Sequence, residues 1–258
     1  MPTTLHAALD GIEQVFDAGT MGAAEALEEL KERVRPVALA QQQRLPVLPG
    51  LADLLPGAGL RRGSTVSISA VPQMGGATTL ALALLAEASR AGSWVAAVGL
   101  PSLGLVAADE LGVALERLVL VAAPERDGWG SVVAALIDGF DLVVLHAGRG
   151  GVRPTDARRL VARGRERGSV LVQLGAGWAG EADLALQVTA ARWEGLGEGH
   201  GHLRARRVTV TSGGRGEAAR PRQVDLWLPS SEGTVAPVYE PLAARPAAEP
   251  VRPLRAVS

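Results

Sequence analysis

A glycine-rich segment, residues 71–79, carries the residue types that most directly suggest chemistry. It reads Val-Pro-Gln-Met-Gly-Gly-Ala-Thr-Thr and joins a strand-like run, Thr65–Ala70, to a helical pattern that starts near Thr78. In such a turn the backbone N–H groups and the positive end of the helix favour a bound phosphate. The complete phosphate-binding motif is G-x-x-x-x-G-K-[ST], in which the lysine pairs with the terminal phosphates.

Only half of this motif is present in the segment. Gly76 and Thr78 match the second glycine and the hydroxyl, whereas Val71 replaces the first glycine and Ala77 replaces the lysine. We therefore predict a vestigial nucleotide-binding loop with no cofactor, or with weak residual affinity for a nucleotide. The predicted loop comprises Gly75, Gly76, Ala77, Thr78 and Thr79.

Two further parts of a nucleotide hydrolase are also missing from the sequence. The apolar run 140–146 ends in His146, where a magnesium-binding strand would end in aspartate, and Asp141 stands at the other end of that run. Residues 99–103, after the strand-like run Trp94–Val98, include no carboxylate that could activate water. Loss of the lysine, the aspartate and the glutamate together predicts a protein that is not an enzyme. His146 is predicted instead to be a hydrogen-bonded residue of the core.

Short apolar runs separated by helical patterns organise the middle of the chain. Such an alternation predicts an α/β fold with a mostly parallel, twisted sheet flanked by helices. From about residue 204 the pattern changes to strand, glycine-rich turn and strand, which predicts an antiparallel hairpin at the C-terminal edge of the sheet. The predicted strands are Thr65–Ala70, Trp94–Val98, Leu118–Ala122, Leu142–Leu145, Val170–Leu174, Leu184–Val188 and Val208–Thr211, and the predicted helices span 78–91, 104–112, 129–138 and 154–167.

Composition divides the chain into three regions. Residues 1–44 contain two amphipathic helical patterns, which either pack on their own domain or dock on another protein. Residues 45–229 form the predicted core. Residues 230–258 are rich in proline and alanine and are predicted to be a disordered tail.

Composition and charge also exclude several classes of protein. Hydrophobic residues make up 47% of the 258 residues, enough for a core, and the formal net charge is −1, which does not suit a polycation for nucleic acid. The chain has no cysteine, so disulfides and thiolate zinc sites are excluded, and His200 and His202 lack a third metal ligand. No run is long enough for a membrane helix and no signal peptide is recognisable, so we expect a cytoplasmic protein.

Arginines form two dense runs that are candidates for contact with DNA phosphates or with an acidic partner. On a helix over 154–167, three of them share one stripe at i, i+4 spacing. Lys31 is the single lysine among 26 basic residues, so these runs are alternatively solvated faces of an arginine-rich chain. Trp178 and Trp193 are interpreted either as interface anchors or as side chains that fill the edge of the domain. The candidate contact residues are Arg149, Arg153, Arg159, Arg163, Arg167, Trp178, Arg206 and Arg207.

The order and spacing of these segments resemble the core of the RecA recombinases. The resemblance runs from about Leu48 to Glu232 and rests on four segments, LPGLADLLPGAGLRRGSTVSISA, GGATTLALALLAEASRAGSWVAAV, ADELGVALERLVLVAAPE and FDLVVLHA. The later segment RRVTVTSGGRGEAARPRQVDLWL is similar to the C-terminal hairpin of that core. The resemblance implies a RecA-like phosphate-loop fold, with DNA-binding loops near residues 147–153 and 176–182.

A small RecA-like chain without a working phosphate loop resembles the ImuA family, particularly its actinobacterial branch. That resemblance implies an accessory protein of the SOS response to DNA damage, acting in mutagenic translesion synthesis. The implied partners are an ImuB-like polymerase adaptor and a DnaE-type polymerase, with DNA as a further candidate ligand and no membrane. The alternatives are an atypical RecA-type ATPase in DNA repair and a RecA-fold regulator of cell division.

Overall fold

The computed structural model of the chain describes residues 44–71, 74–122, 128–146, 151–175, 182–196 and 201–238. The two amphipathic patterns predicted within residues 1–44, apart from Arg44, and the tail beyond Val238 lie outside these described residues. The chain divides into two units, Met1–Leu45 and Pro46–Ser258. Of the first unit, only the two-residue strand β1 (Arg44–Leu45) is described.

The second unit alternates strands and helices in much the order that the apolar pattern predicts. Short 3-10 turns at Pro56–Ala58, Leu115–Arg117 and Gly216–Ala218 connect some of its elements. In chain order the elements are α1 (Pro49–Ala52), β2 (Leu60–Arg61), β3 (Thr65–Ala70), α2 (Ala77–Arg90), β4 (Val95–Val98), α3 (Leu105–Glu110), β5 (Leu118–Val121), α4 (Trp129–Gly139), β6 (Leu142–His146), α5 (Pro154–Arg167), β7 (Val170–Leu174), β8 (Leu184–Leu196), β9 (Gly201–Gly214), β10 (Arg222–Trp227) and β11 (Ala236–Pro237).

Nine of these strands form one mixed sheet in the order β11-β10-β9-β8-β3-β7-β6-β4-β5. The six strands from β8 to β5 pair in parallel, with Val66 of β3 opposite Val172 of β7 and Leu184 of β8. Strands β9, β10 and β11 continue the sheet in antiparallel pairing. The predicted α/β class, the mostly parallel sheet and its antiparallel edge are therefore confirmed.

The central strands are buried on both faces because helices cover the sheet from both sides. Alternate residues of β6 face opposite layers: Val143 and Leu145 pack with α4 and α5, whereas Val144 faces α2. Burial of each such side chain contributes about 1.5–3 kcal/mol relative to leaving it in water. The cluster on the α4–α5 side comprises Val98, Val133, Ile137, Val143, Leu145, Leu160 and Leu171.

The C-terminal part of the sheet extends beyond its predicted limits in two places. Strands β8 and β9 pair beyond Val188, and past the end of β10 they continue as a two-stranded ribbon, in which residues 193–196 of β8 pair with residues 201–206 of β9. The boundary predicted at residue 229 is wrong, because a turn at Ser230–Thr234 leads into β11, which pairs with β10. The backbone ladder orders this proline-containing segment although it offers few residues for a core.

Candidate functional site

The glycine-rich loop lies at the carboxyl edge of the parallel strands, where α/β sheets commonly bind ligands. Two positive φ angles form the turn into α2, 65° at Gly75 and 92° at Gly76, a conformation that favours glycine. The helix begins at Ala77, and the Leu80 N–H donates to the Gly76 carbonyl at 2.9 Å. No side chain caps this helix end. The predicted position of the loop, between β3 and α2, is therefore confirmed.

The hydroxyl of the motif offers little for a phosphate or its metal ion. Thr78 is exposed and Thr79 is half-buried in the first turn of α2. Thr78 opens onto a small crevice between α2 and the sheet, whose other lining residues are all apolar. Apart from the hydroxyl of Thr78, no side chain that lines this crevice could hold a magnesium ion or pair with a phosphate.

An arginine from β9 lies against this loop. The guanidinium Nη2 of Arg206 donates a hydrogen bond to the carbonyl oxygen of Met74. A Cβ atom added at Gly76 would lie 2.6 Å from Nη1 of Arg206, so the guanidinium packs directly on the glycine backbone. Arg206 keeps only 6% of its surface exposed. Arg206 is a predicted candidate for contact with DNA or a partner, and in the structure its charged group is covered by the protein itself.

Trp193 stands opposite Arg206 on the neighbouring strand of the ribbon. The two residues are cross-strand partners, and the Cζ atom of Arg206 lies 5.5 Å from the centroid of the indole ring. An arginine at this distance from a tryptophan ring gains a cation–π attraction of about 0.5–2 kcal/mol. Burial lowers the pKa of the Arg206 guanidinium, because removal from water disfavours the charged form. Arginine nevertheless stays protonated at neutral pH.

The neighbouring strand ends place no carboxylate beside the loop among the described residues. Strand β4 leads into residues 99–103, and β6 ends in His146. His146 is exposed, which corrects the prediction of a buried, hydrogen-bonded residue. Its ring lies close to Gly175 after β7, since a Cβ added there would be 3.7 Å from Nε2 of His146.

Asp141 lies at the opposite, amino edge of the sheet, as its position in the sequence predicts. Its carboxylate accepts a hydrogen bond from Arg62 at 2.8 Å and another from the backbone N–H of Trp94 at 3.0 Å. These contacts hold the starts of β4 and β6 together. Asp141 therefore stabilises the sheet and cannot serve as a ligand at the loop.

The arginine stripe of α5 is only partly free. Asp138 of α4 accepts two hydrogen bonds from Arg163, at 2.8 and 2.5 Å, and forms an ion pair with Arg167 at 3.1 Å. The hydrogen bond from Arg163 holds the pKa of the Asp138 carboxyl below its usual value, and the same pair raises the pKa of Arg163. Arg159 is exposed and forms no ion pair with a described residue. The interpretation of a three-arginine phosphate surface is therefore corrected to one in which Asp138 already pairs with two of the three arginines.

The remaining predicted contact residues differ in their surroundings. Arg207 donates to Asp225 of β10 at 2.8 Å and is half-buried, so it joins two strands of the sheet rather than forming a free cation. Arg153 is exposed at the N-terminal end of α5 and has further contacts of its own. Arg149 and Trp178 lie outside the described residues.

No group of three or more His, Cys, Asp or Glu residues in the described ranges could hold a metal ion. His202 is exposed on β9, and His200 lies outside the described residues. None of the described helices has both the length and the apolar character needed to cross a membrane.

The contact between Arg206 and the loop is the feature that sequence reasoning missed. Met74 and Arg206 are 132 residues apart, and neither position stands out as a motif. A partial signal existed in the hairpin, because the register of β8 and β9 sets Trp193 beside Arg206. That register includes two irregularities along the ribbon, so counting residues from the turn could not have fixed it.

Comparison with known proteins gives a matching family model and a similar protein from Mycobacterium tuberculosis. Residues 53–180 match the model of the family described as the MT3502 N-terminal domain. The chain is 36% identical over 157 residues to the protein named "Uncharacterized protein Rv3395c" from Mycobacterium tuberculosis, and this match covers 61% of the chain and 73% of the relative. The family region includes the glycine-rich loop and helices α2 to α5, and it ends before β8. The chain thus belongs to the MT3502 N-terminal domain family.

Proposed function

We propose that this chain is a non-catalytic, RecA-like accessory protein of a damage-induced, error-prone DNA synthesis system. It acts by binding an ImuB-like polymerase adaptor that works with a DnaE-type polymerase, and DNA is its second candidate ligand. One observation carries the proposal: the glycine-rich loop has alanine at the lysine position and is packed against Arg206 of the same chain.

The strand order supports a RecA-like core over the dinucleotide-binding fold. In the dinucleotide-binding order the first two strands of the series are neighbours. Here β3 and β4 follow each other along the chain but are separated in the sheet by β7 and β6. The antiparallel strands β9 and β10 stand where the resemblance implies a C-terminal hairpin.

The electrostatics of the loop support a role without hydrolysis. Phosphoryl transfer needs a cation on the transferred phosphate, a metal ion and a group that orients water. Ala77 supplies no charge, His146 replaces the metal-binding aspartate, and residues 99–103, directly after β4, include no carboxylate. A core without this machinery acts through its surface.

The ribbon of β8 and β9 offers that surface. Its exposed apolar side chains include Leu196 and Leu203, which keep 62% and 52% of their surface in solvent, beside the half-exposed Trp193. Large apolar and aromatic side chains of this kind are typical anchors of protein interfaces. The relative from Mycobacterium fits the actinobacterial branch of the ImuA resemblance.

Direct binding between purified proteins tests the proposal. The full-length chain is titrated with the ImuB-like adaptor of the same organism by calorimetry, without nucleotide, and we expect a one-to-one complex. Leu203→Asp is expected to weaken the complex at least tenfold. Val106→Asp on α3, which is even more exposed at 73%, is the matched control and should not. ATP hydrolysis stimulated by single-stranded DNA would favour the ATPase alternative, and no complex with the adaptor would refute the accessory role.

A further inference from the structure

We propose that Arg206 is a built-in plug of the glycine-rich loop, so that its guanidinium takes the place of a ligand and closes the loop to polyphosphates. This inference goes beyond the proposed function, because it concerns what fills the loop and not which partner the surface binds. It rests on three kinds of observation: contact, burial and charge.

Glycine is required at position 76 both by the turn and by the contact with Arg206. Nη2 of Arg206 donates to the Met74 carbonyl, and a Cβ atom at Gly76 would lie 2.6 Å from Nη1 and 3.2 Å from Cζ. Gly75 has a similar positive φ, but a Cβ atom there would meet Arg206 only at 4.0 Å. The two adjacent glycines thus share a backbone requirement and differ in their contact with the guanidinium.

The burial leaves no room for a ligand on the guanidinium. Arg206 is 6% exposed, and two backbone hydrogen bonds fix it to the segment after β10: the Arg206 N–H donates to the Pro229 carbonyl at 2.8 Å and the Leu228 N–H donates to the Arg206 carbonyl at 2.7 Å. The indole of Trp193 lies over the same group. A polyphosphate could contact the guanidinium only if the Arg206 side chain moved away from the loop.

The charge of Arg206 is stabilised by uncharged groups of the same chain. The N-terminus of the 14-residue helix α2 carries partial positive charge and would attract an anion. Arg206 places a second positive group there, and its Nε has no hydrogen-bond partner among the described residues. A carbonyl oxygen and an aromatic face, not a carboxylate, stabilise the cation. An alternative follows from the same facts, since a buried cation beside a helix N-terminus would also suit a bound anion, and burial favours the plug.

Titration of the full-length chain with inorganic triphosphate, with and without Mg²⁺, distinguishes a plug from an anion-binding site. We expect no heat of binding and no change in Tm at millimolar triphosphate.

Arg206→Ala is expected to speed amide hydrogen exchange at residues 75–80 about tenfold or more, because the loop loses its internal contact. The matched control is Arg204→Ala, an exposed arginine two residues earlier on the same strand, which should leave that exchange within twofold.

A pair of glycine variants tests the contact without removing the arginine. Gly76→Ala is expected to lower the Tm more than Gly75→Ala, and the difference should shrink to less than half in the Arg206→Ala background. Should Arg206→Ala fail to fold, the triphosphate titration of the wild-type chain still decides. A rise in the wild-type Tm with triphosphate would overturn the plug and make Arg206 an anion ligand. Equal costs of the two glycine variants would overturn it as well. Neither result depends on adaptor binding, so failure of the plug and failure of the proposed function are distinguishable.

Discussion

Ala77 occupies the position at which a phosphate-binding loop carries its lysine, so the simplest attempt at rescue is Ala77→Lys. We expect this variant to release phosphate from ATP no faster than a buffer control. The added ammonium would meet the guanidinium of Arg206 on the same loop, and no carboxylate from the described ends of β4 or β6 could hold magnesium or orient water. A phosphate-release assay with Mg²⁺, with and without single-stranded DNA, measures this. Turnover above the control in wild type or variant would contradict the non-catalytic interpretation.

A second prediction about a single residue concerns Asp225, whose contribution to stability depends on pH. Hydrogen bonds from Arg207, at 2.8 Å, and then from Thr209, at 2.7 Å, hold the pKa of its carboxyl below the usual value. A lowered folded-state pKa stabilises the fold above the unfolded-state pKa of about 3.9, and this contribution is lost as the pH falls through the folded-state value. Asp225→Asn should therefore cost about 0.5–1 kcal/mol at pH 7, discounted for partial exposure, and almost nothing at pH 2.

Urea unfolding between pH 2 and pH 7 measures the Asp225 prediction. The control is Asp53→Asn, at an exposed aspartate after α1, which should change the free energy of unfolding little. A constant difference between wild type and Asp225→Asn across the range would show that the charge of Asp225 contributes nothing.

Single residues were the least predictable level of this molecule. The loss of the lysine at Ala77 is readable from the sequence, because a motif fixes its position relative to Gly76 and Thr78. The exposure of His146 was not readable, since an apolar run gives no sign of which strand end reaches solvent. Arg206 looked like one more member of a basic run, because burial depends on packing between segments 132 residues apart.

Helices α4 and α5 are joined by charge as well as by apolar packing. Asp138 on α4 is bound by Arg163 and Arg167 on α5, whereas Arg159 points to no described acid. Arg163→Glu is expected to lower the Tm, because it removes a two-bond contact and sets a like charge beside Asp138. Arg159→Glu, with the same change in charge, should leave the Tm within about 1 °C.

The same pair of variants tests the DNA surface. Arg159→Glu should weaken DNA binding without preference for sequence and reduce the slope of log K against log salt by about 1, as expected for one lost phosphate contact. Filter binding or anisotropy at several salt concentrations measures the slope. An unchanged slope in Arg159→Glu would assign this face of α5 to solvent or to a protein partner.

Elements were predicted well wherever burial alone creates them. Strands β3, β4, β6 and β7 are short apolar runs, and each forms within a residue or two of its predicted bounds. The ribbon and strand β11 were missed for the opposite reason. They are held mainly by backbone hydrogen bonds between exposed or half-buried residues, which leave no clear pattern of hydrophobicity in the sequence.

The nine-stranded sheet of the second unit has two different edges. One end is the parallel edge strand β5, and the other is the antiparallel series β9, β10 and β11. The class of fold follows from the alternation of strands and helices, but the order of strands does not, because pairing joins segments that are distant in sequence. Strand β8, for example, pairs with β3 across more than 100 residues. Truncation tests this arrangement better than point mutation does.

A chain that ends at Val238 should keep the Tm of the full-length protein within about 1 °C, whereas one that ends at Pro229 should lose about 5 °C. The shorter chain lacks β11, the hydrogen bond from the Val238 N–H to the Asp225 carbonyl at 3.2 Å, and the side chain of Val235, which lies near Gly50.

The adaptor should bind the chain that ends at Val238 more weakly than the full chain, because we expect residues 239–258 to add affinity to a site on the core and the ribbon. A chain that starts at Leu45 should also retain binding. Calorimetric scans and titration of each truncation with the adaptor measure both effects, and equal Tm values for the two C-terminal truncations would show that β11 adds no stability to the sheet.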